Sequence, residues 1–271
     1  MSLGVLNNIS AIYAQNNLSN TQASLSKTLQ QLSSGSRINS GADDAAGLSL
    51  ANGLQASATA LSQSASNASE GVDMLQVADG AMSQITNMLN RAVTLATEAS
   101  NGTMNANQIA AANAEYVNIM GEITNINTNT EYNGILSFGT VSKIYTTDGT
   151  TSQTDNATAL NAVDAATLGL TAAGFTTSAT AQTELGKITT AIGTIASDRG
   201  TVGATINTLT AVGNVMSTES TNTLAAQNDV TATDYGQATS DMSKYQILSQ
   251  TGIAALSQAN QSQQLITKLL Q

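Results

Sequence analysis

The sequence predicts a mainly α fold of long coiled-coil helices with a small β-hairpin or loop insert in the middle. Three observations predict it. Proline is absent from all 271 residues, so no ring interrupts a helix or removes a backbone donor. Small or apolar residues recur at alternating steps of three and four over long stretches, the spacing of a helical seam. Residues 138–182 lack that repeat and carry turn signals and β-prone residues instead.

From the amino terminus, Leu18, Leu25 and Leu32 repeat at seven with Leu29 alongside, a narrow stripe that gains little in an isolated helix. The stretch SSGSRINSGADDAAGLSL (33–50) follows, with Arg37 and the adjacent carboxylates Asp43 and Asp44 among glycines. An N-cap needs one oxygen aimed at the free amides of a first turn. A metal site would need several more converging oxygens, and a calcium-loop pattern is absent. Arg37, Asp43 and Asp44 are therefore expected at a helix cap and backbone corner.

A seam begins at once. Ala51, Leu54, Ala58, Leu61, Ala65, Ala68, Val72 and Leu75 alternate threes and fours, and Ala78, Met82, Ile85, Leu89, Ala92, Ala96 and Ala99 continue after an extra step of three. Such a stammer locally overwinds a supercoil. One helix of about 57 residues, roughly 85 Å, would end at Asn101-Gly102. A short antiparallel run follows through Ile109, Ala112, Tyr116, Ile119, Ile123 and Ile126.

NGILSF (133–138) reads as a turn followed by a strand, and Asp148-Gly149 between Tyr145-Thr146-Thr147 and Thr150-Thr151 as a hairpin. The Thr, Ala and Gly around them suggest an exposed, variable insert. A further seam runs from Leu185 through Ile188, Ile192, Ile195, Arg199, Val202, Ile206 and Leu209 to Met216. Arg199 on such a seam is expected to set register or to pair with a carboxylate. At the carboxyl end Tyr245, Leu248, Ala255, Ala259, Ile266 and Leu269 form a stripe flanked by Leu256 and Leu270. The two terminal stripes need partners, each other and neighbouring chains.

The composition narrows function. Cysteine and histidine are both absent, which removes disulfides, thiolate nucleophiles, the commonest metal ligand and the usual general base near neutral pH. An enzyme, a cofactor and a metal are therefore not expected. The net charge of −10 is concentrated in the middle, since residues 1–42 carry only Lys27 and Arg37 and residues 236–271 only Asp241, Lys244 and Lys268. No basic stripe offers itself to nucleic acid. No apolar run approaches the length of a membrane span, and no basic region followed by an apolar one marks a secretory signal. Most of the Asn-x-Ser/Thr triplets at Asn8, Asn17, Asn67, Asn101 and Asn156 are what chance supplies in a chain so rich in these residues.

Four stretches then carry a resemblance. LSSGSRINSGADDAAGLSLA (32–51), INTNTEYNGILSF (126–138), DRGTVGATIN (198–207) and DYGQATSDMSKYQILSQTGIAALSQANQ (234–261) resemble, in order, the blocks of bacterial flagellin, over about residues 1–137 and 184–271. The resemblance implies that the two terminal regions form an α-helical coiled coil in a filament core. Residues 1–42 would then be the amino-terminal core helix and spoke, 43–137 the first half of a long-helix domain, and 138–183 a short variable insert. Residues 184–235 would complete the long-helix domain and 236–271 the carboxy-terminal core helix. Leu18, Leu25, Leu29, Leu32, Tyr245, Leu248, Leu256, Ile266, Leu269 and Leu270 would be the assembly residues.

The resemblance further implies a homopolymeric helical filament for swimming, unfolded export through a type III apparatus, and an extracellular location. It implies as partners an export chaperone, cap and junction proteins, and a vertebrate innate immune receptor meeting Arg91, Leu95 and Glu115. Around these, Asn90, Val93 and Thr94 replace residues that are more polar or charged in strongly recognised relatives. A hook-filament junction protein, with similar ends, and a signalling coiled coil are the alternatives.

Overall fold

The computed structural model describes residues 8–139, 141–147 and 155–269. Among them, helices α1 (Ile9–Ser34), α2 (Ala45–Ser100) and α3 (Ala106–Asn129) precede strands β1 (Glu131–Tyr132), β2 (Ile135–Leu136), β3 (Val141–Tyr145) and β4 (Asp155–Ala159), and α4 (Ser178–Thr231) and α5 (Tyr235–Leu269) follow. The mainly α architecture with strands confined to the middle is the one predicted.

Two compact units divide the chain. The central unit spans residues 57–222, and the terminal unit combines residues up to 56 with those from 223 onward. The central core is drawn from α2, α3, the insert and α4. Leu75, Ile85, Leu89, Tyr116, Ile123, Phe175, Ile188 and Ile195 are all fully buried there. Aromatic anchors are few, so the core closes through Ala78, Ala92, Ala96 and Ala99 on α2, which let neighbouring backbones approach closely.

The α2 seam differs from the expected one in a single stretch. Ser64, Ala68 and Gly71 are buried while Ala65 and Val72 are half-buried, so the consecutive steps of three fall at Ala58, Leu61 and Ser64, earlier than Leu75–Ala78. The cause is the insert. The Ser64 hydroxyl donates to the Thr147 carbonyl at 2.6 Å and accepts the Thr147 N–H at 3.1 Å, and Ile144 seats against Gly71. A heptad read along one chain cannot register a strand whose contacts arrive from 78 to 83 residues downstream.

The predicted turn at 133–134 is present: Asn133 (φ 52°) and Gly134 (φ 75°) both adopt left-handed backbone between β1 and β2, with Tyr132 opposite Ile135. These are the dihedrals of a two-residue type I′ hairpin, which Asn-Gly favours. In the second antiparallel pair Tyr145 opposes Asp155; the Asp148-Gly149 turn lies outside the described residues. Exposure, expected for the whole insert, does not hold for its second half. Leu160, Val163, Ala165, Leu168, Leu170 and Phe175 are buried in the central core. Their spacing fits neither a strand nor a helix, so periodicity could not mark them as core.

Candidate assembly surface

In the terminal unit α1 and α5 pack against each other. They run antiparallel, as Asn8 Nδ2 donates to the Ala259 carbonyl at 3.0 Å, Gly252 lies against Leu18, and Gly35 lies beside Tyr235. The inward positions of α1 are Ala11, Ala14, Leu18, Thr21, Leu25, Thr28 and Leu32, and those of α5 are Ala238, Met242, Tyr245, Ser249, Gly252, Leu256 and Ala259. Each set alternates steps of three and four, as a coiled-coil seam requires. The residues on it are mostly small or polar. Thr28 is the only buried residue of α1, and among the described side chains of α5 Ala238 is the buried hydrophobic one.

The apolar side chains off the seam are left in solvent. Ile9, Ile12, Tyr13, Leu29, Ile247, Leu248, Ile253 and Leu265 stand between 43% and 67% exposed, and a cleft of about 450 Å³ opens along Leu18, Tyr245, Leu248 and Ala255. Exposed apolar surface concentrated on one helix pair is what an interaction site would present. Of the sequence-predicted assembly residues, Leu18, Leu25, Leu32, Tyr245 and Leu256 face the seam, while Leu29 and Leu248 point out of it. Ile266 and Leu269 fall within α5, and Leu270 lies outside the described residues. Ile9, Ile12, Tyr13, Ile247, Ile253 and Leu265 escaped the heptad reading because it follows one stripe per helix, and they lie on other faces.

The corner around Arg37, Asp43 and Asp44 holds this pair together at one end. Gly35, at φ 70°, caps α1 by donating its N–H to the Gln31 carbonyl. The chain segment after α1 then pairs with the one before α5. Arg37 N–H donates to the Thr231 carbonyl at 2.7 Å, Thr233 N–H to the Gly35 carbonyl at 3.0 Å, and the Arg37 guanidinium to the Val230 carbonyl at 3.0 Å.

The two carboxylates do different work. Asp44 Oδ1 accepts the Gly47 N–H at 2.8 Å, the bond of an N-cap for α2. Asp43 Oδ2 accepts from the Asn39 and Ser40 amides and the Ser40 hydroxyl, and its Oδ1 meets Lys27 Nζ at 2.7 Å. The Lys27 ammonium, aided by Ser40, holds the Asp43 carboxyl down to about 2.

Arg91, Leu95 and Glu115 belong to the central unit. Arg91 Nε and Nη2 reach the two Glu115 oxygens at 2.7 and 3.0 Å, a bidentate bridge from α2 to α3. The pair raises the arginine pKa and lowers the glutamate's. Leu95 is 3% exposed and packs in the core. Arg199, on the α4 seam, pairs with a carboxylate as its position suggested: its guanidinium grips Asp79 in the same bidentate fashion, at 2.7 and 3.1 Å. No helix of the described residues is long and apolar enough to cross a membrane.

Residues 5–143 match the model of the bacterial flagellin N-terminal helical region, and residues 185–270 match that of the bacterial flagellin C-terminal helical region. The chain belongs to the bacterial flagellin family. A flagellin of Listeria innocua is 30% identical over 97% of this chain and 98% of its own length. Flagellin A of Vibrio cholerae is 39% identical over 49% of this chain and 35% of its own. The crystal structure of Bacillus cereus flagellin is 34% identical, with a TM-score of 0.48 over 60% of this chain and 94% of that one. Flagellins are structural proteins, and this chain is accordingly a filament subunit for flagellar motility.

Proposed function

We propose that polymerisation is carried by the two terminal segments, 1–42 and 236–271, which gain their stability from neighbouring copies of the chain. The observation that carries this reading is the exposed apolar surface of α1 and α5. Fixing the backbone costs about 1–2 kcal/mol per residue. A helix pair burying little more than Thr28 and Ala238 fully cannot offset that alone. Burial between copies supplies the difference, and head-to-tail contacts that do not close into a ring generate an open helix.

Residues 43–137 and 184–235 then form the long-helix layer outside this core, with 138–183 as the insert joined to it. Export proceeds unfolded through the type III apparatus to an extracellular filament, assisted by an export chaperone and by cap and junction proteins; a chain without proline or disulfides suits that route. A vertebrate innate receptor approaching this region would meet the Arg91–Glu115 bridge, with the Leu95 side chain beneath the surface.

Electron microscopy of the purified protein with and without residues 236–271 tests the central assignment. Filaments are expected from the full chain alone. Long filaments persisting in the truncated form would contradict the role given to that end.

A further inference from the structure

The second half of the insert is fastened to the central core by a buried carboxylate that no assembly role explains. Glu184, on α4, is 3% exposed. Its Oε1 accepts the Tyr116 hydroxyl of α3 at 2.9 Å and the Thr171 N–H of the insert at 2.6 Å. Its Oε2 accepts Lys187 Nζ at 3.0 Å, and the same ammonium donates to Thr171 Oγ1 at 2.7 Å. Beside this cluster, Asn113 Oδ1 of α3 accepts the Phe175 N–H at 2.7 Å, and the Phe175 ring lies 5.3 Å from that of Tyr116. Further anchors are Val163 N–H on Asn127 and the Ser178 hydroxyl on the Ser100 carbonyl.

We propose that residues 163–177 form a strap clasped by the Glu184 carboxylate, and that protonation of that carboxylate releases the strap while the helices beneath it stay folded. The chemistry of the donor set requires an ionised acid. The Thr171 amide and hydroxyl, the Tyr116 hydroxyl and the Lys187 ammonium all favour the charged oxygens, and the amide and the ammonium have no acceptor capacity. A proton on Oε2 would face the ammonium, and one on Oε1 could be held only by turning the Tyr116 hydroxyl from donor to acceptor, so either protonated form leaves one donor of the cluster without its acceptor.

The titratable and charged groups facing Glu184 are Tyr116 from α3 and Lys187 from its own helix. The strap presents the uncharged Thr171, and the main causes of the shift lie in the strap, α3 and α4. Burial pushes the Glu184 carboxyl up, but the bonds from Thr171, Lys187 and Tyr116 outweigh it and leave the pKa below its ordinary 4.5. Burial, and then Glu184 itself, push the Tyr116 phenol well above its usual range, so it remains a neutral donor. The sign follows: the clasp is at full strength above the ordinary carboxylate value and weakens as pH falls from there toward the lowered one. Over that interval the opening constant rises about tenfold per pH unit, as uptake of one proton dictates.

Hydrogen exchange on the full chain, corrected for intrinsic rates and followed from neutral pH into acid, tests this. The Thr171 and Phe175 amides are expected to lose protection while those of Ile85 and Leu89 on α2 and Ile195 on α4 keep theirs. Glu184→Gln should lower strap protection at neutral pH about tenfold, the loss expected when a charged hydrogen bond becomes a neutral one, and abolish the acid response. Tyr116→Phe, which removes one donor and keeps the ring, should give a smaller rise than the wild type. Loss of protection in strap and helices together, or an unchanged acid response in either variant, overturns the proposal.

Discussion

Replacing Ile253 by alanine separates the stability of the subunit from the stability of the polymer. Ile253 is 55% exposed on α5, so truncation removes little buried area from a single chain, and alanine's better helix propensity recovers a few tenths of a kcal/mol. The monomer should melt within about 1 °C of the wild type. On the proposed assembly surface the same side chain would be covered by a neighbour in the filament. Fully burying an isoleucine contributes about 1.5–3 kcal/mol, and the half exposed even when α5 is paired accounts for at least about 1 kcal/mol per added subunit. The critical concentration for seeded polymerisation should therefore rise at least about fivefold.

Ile195→Ala is the counterpart. Ile195 is fully buried in the central core, so its truncation should cost about 3 kcal/mol and lower the melting temperature by roughly 6–12 °C, with a far smaller effect on assembly than on melting. Sedimentation of seeded polymer and a circular-dichroism melt of dilute monomer read both quantities. A lowered melting temperature in Ile253→Ala, or an unchanged critical concentration, would refute the division of labour between the two units.

Asp44→Ala should destabilise the start of α2 by about 1 kcal/mol while Asp44→Asn costs only a few tenths, because asparagine still offers an oxygen to the Gly47 amide; denaturant melts of the two variants distinguish them. Where α1 is ordered and Lys27 meets Asp43, the Asp43 carboxyl should titrate near 2, below its ordinary 3.8. Its contribution is therefore present above 3.8 and lost as pH falls toward 2, and Lys27→Met should return its NMR titration midpoint toward the ordinary value. A double-mutant cycle of Arg199→Ala and Asp79→Ala should give a coupling of about 0.5–1 kcal/mol, since the pair is bidentate but remains about 37% exposed. Coupling near zero would assign Arg199 to packing alone.

What the sequence disclosed follows from the range of each signal. Helix seams are local, so Leu61, Ala68, Leu75 and Ile85 on α2 and Ile109, Ala112, Tyr116 and Ile123 on α3 lie buried where spacing put them. The Asn133-Gly134 hairpin was legible for the same reason, because two adjacent residues set its turn. Interactions between distant segments were not. Ser64 is met by Thr147, two residues past the end of β3, and Gly71 by Ile144 of β3 and Leu209 of α4. Glu184 sits on the buried face of α4 with partners 68 and 13 residues away, and a charge at a seam position gives no sign of what will neutralise it.

On α5 the stripe read from Leu248 and Ala255 is rotated from the face that meets α1, which runs through Gly252 and Leu256. Seven-residue spacing fixes a period but leaves the choice of face to whatever the helix packs against. In a helix that must satisfy one partner within the chain and others between chains, more than one face is apolar, and the largest side chains need not choose the intramolecular one.

Hydrogen exchange of the dilute subunit, compared with that of the assembled filament, tests most directly whether the terminal helices are stable only in company. Amides across α1 and α5 are expected to exchange at nearly unprotected rates in the subunit and to become strongly protected in the filament, with the central core protected in both. Strong protection of α1 and α5 in the isolated subunit would contradict the account.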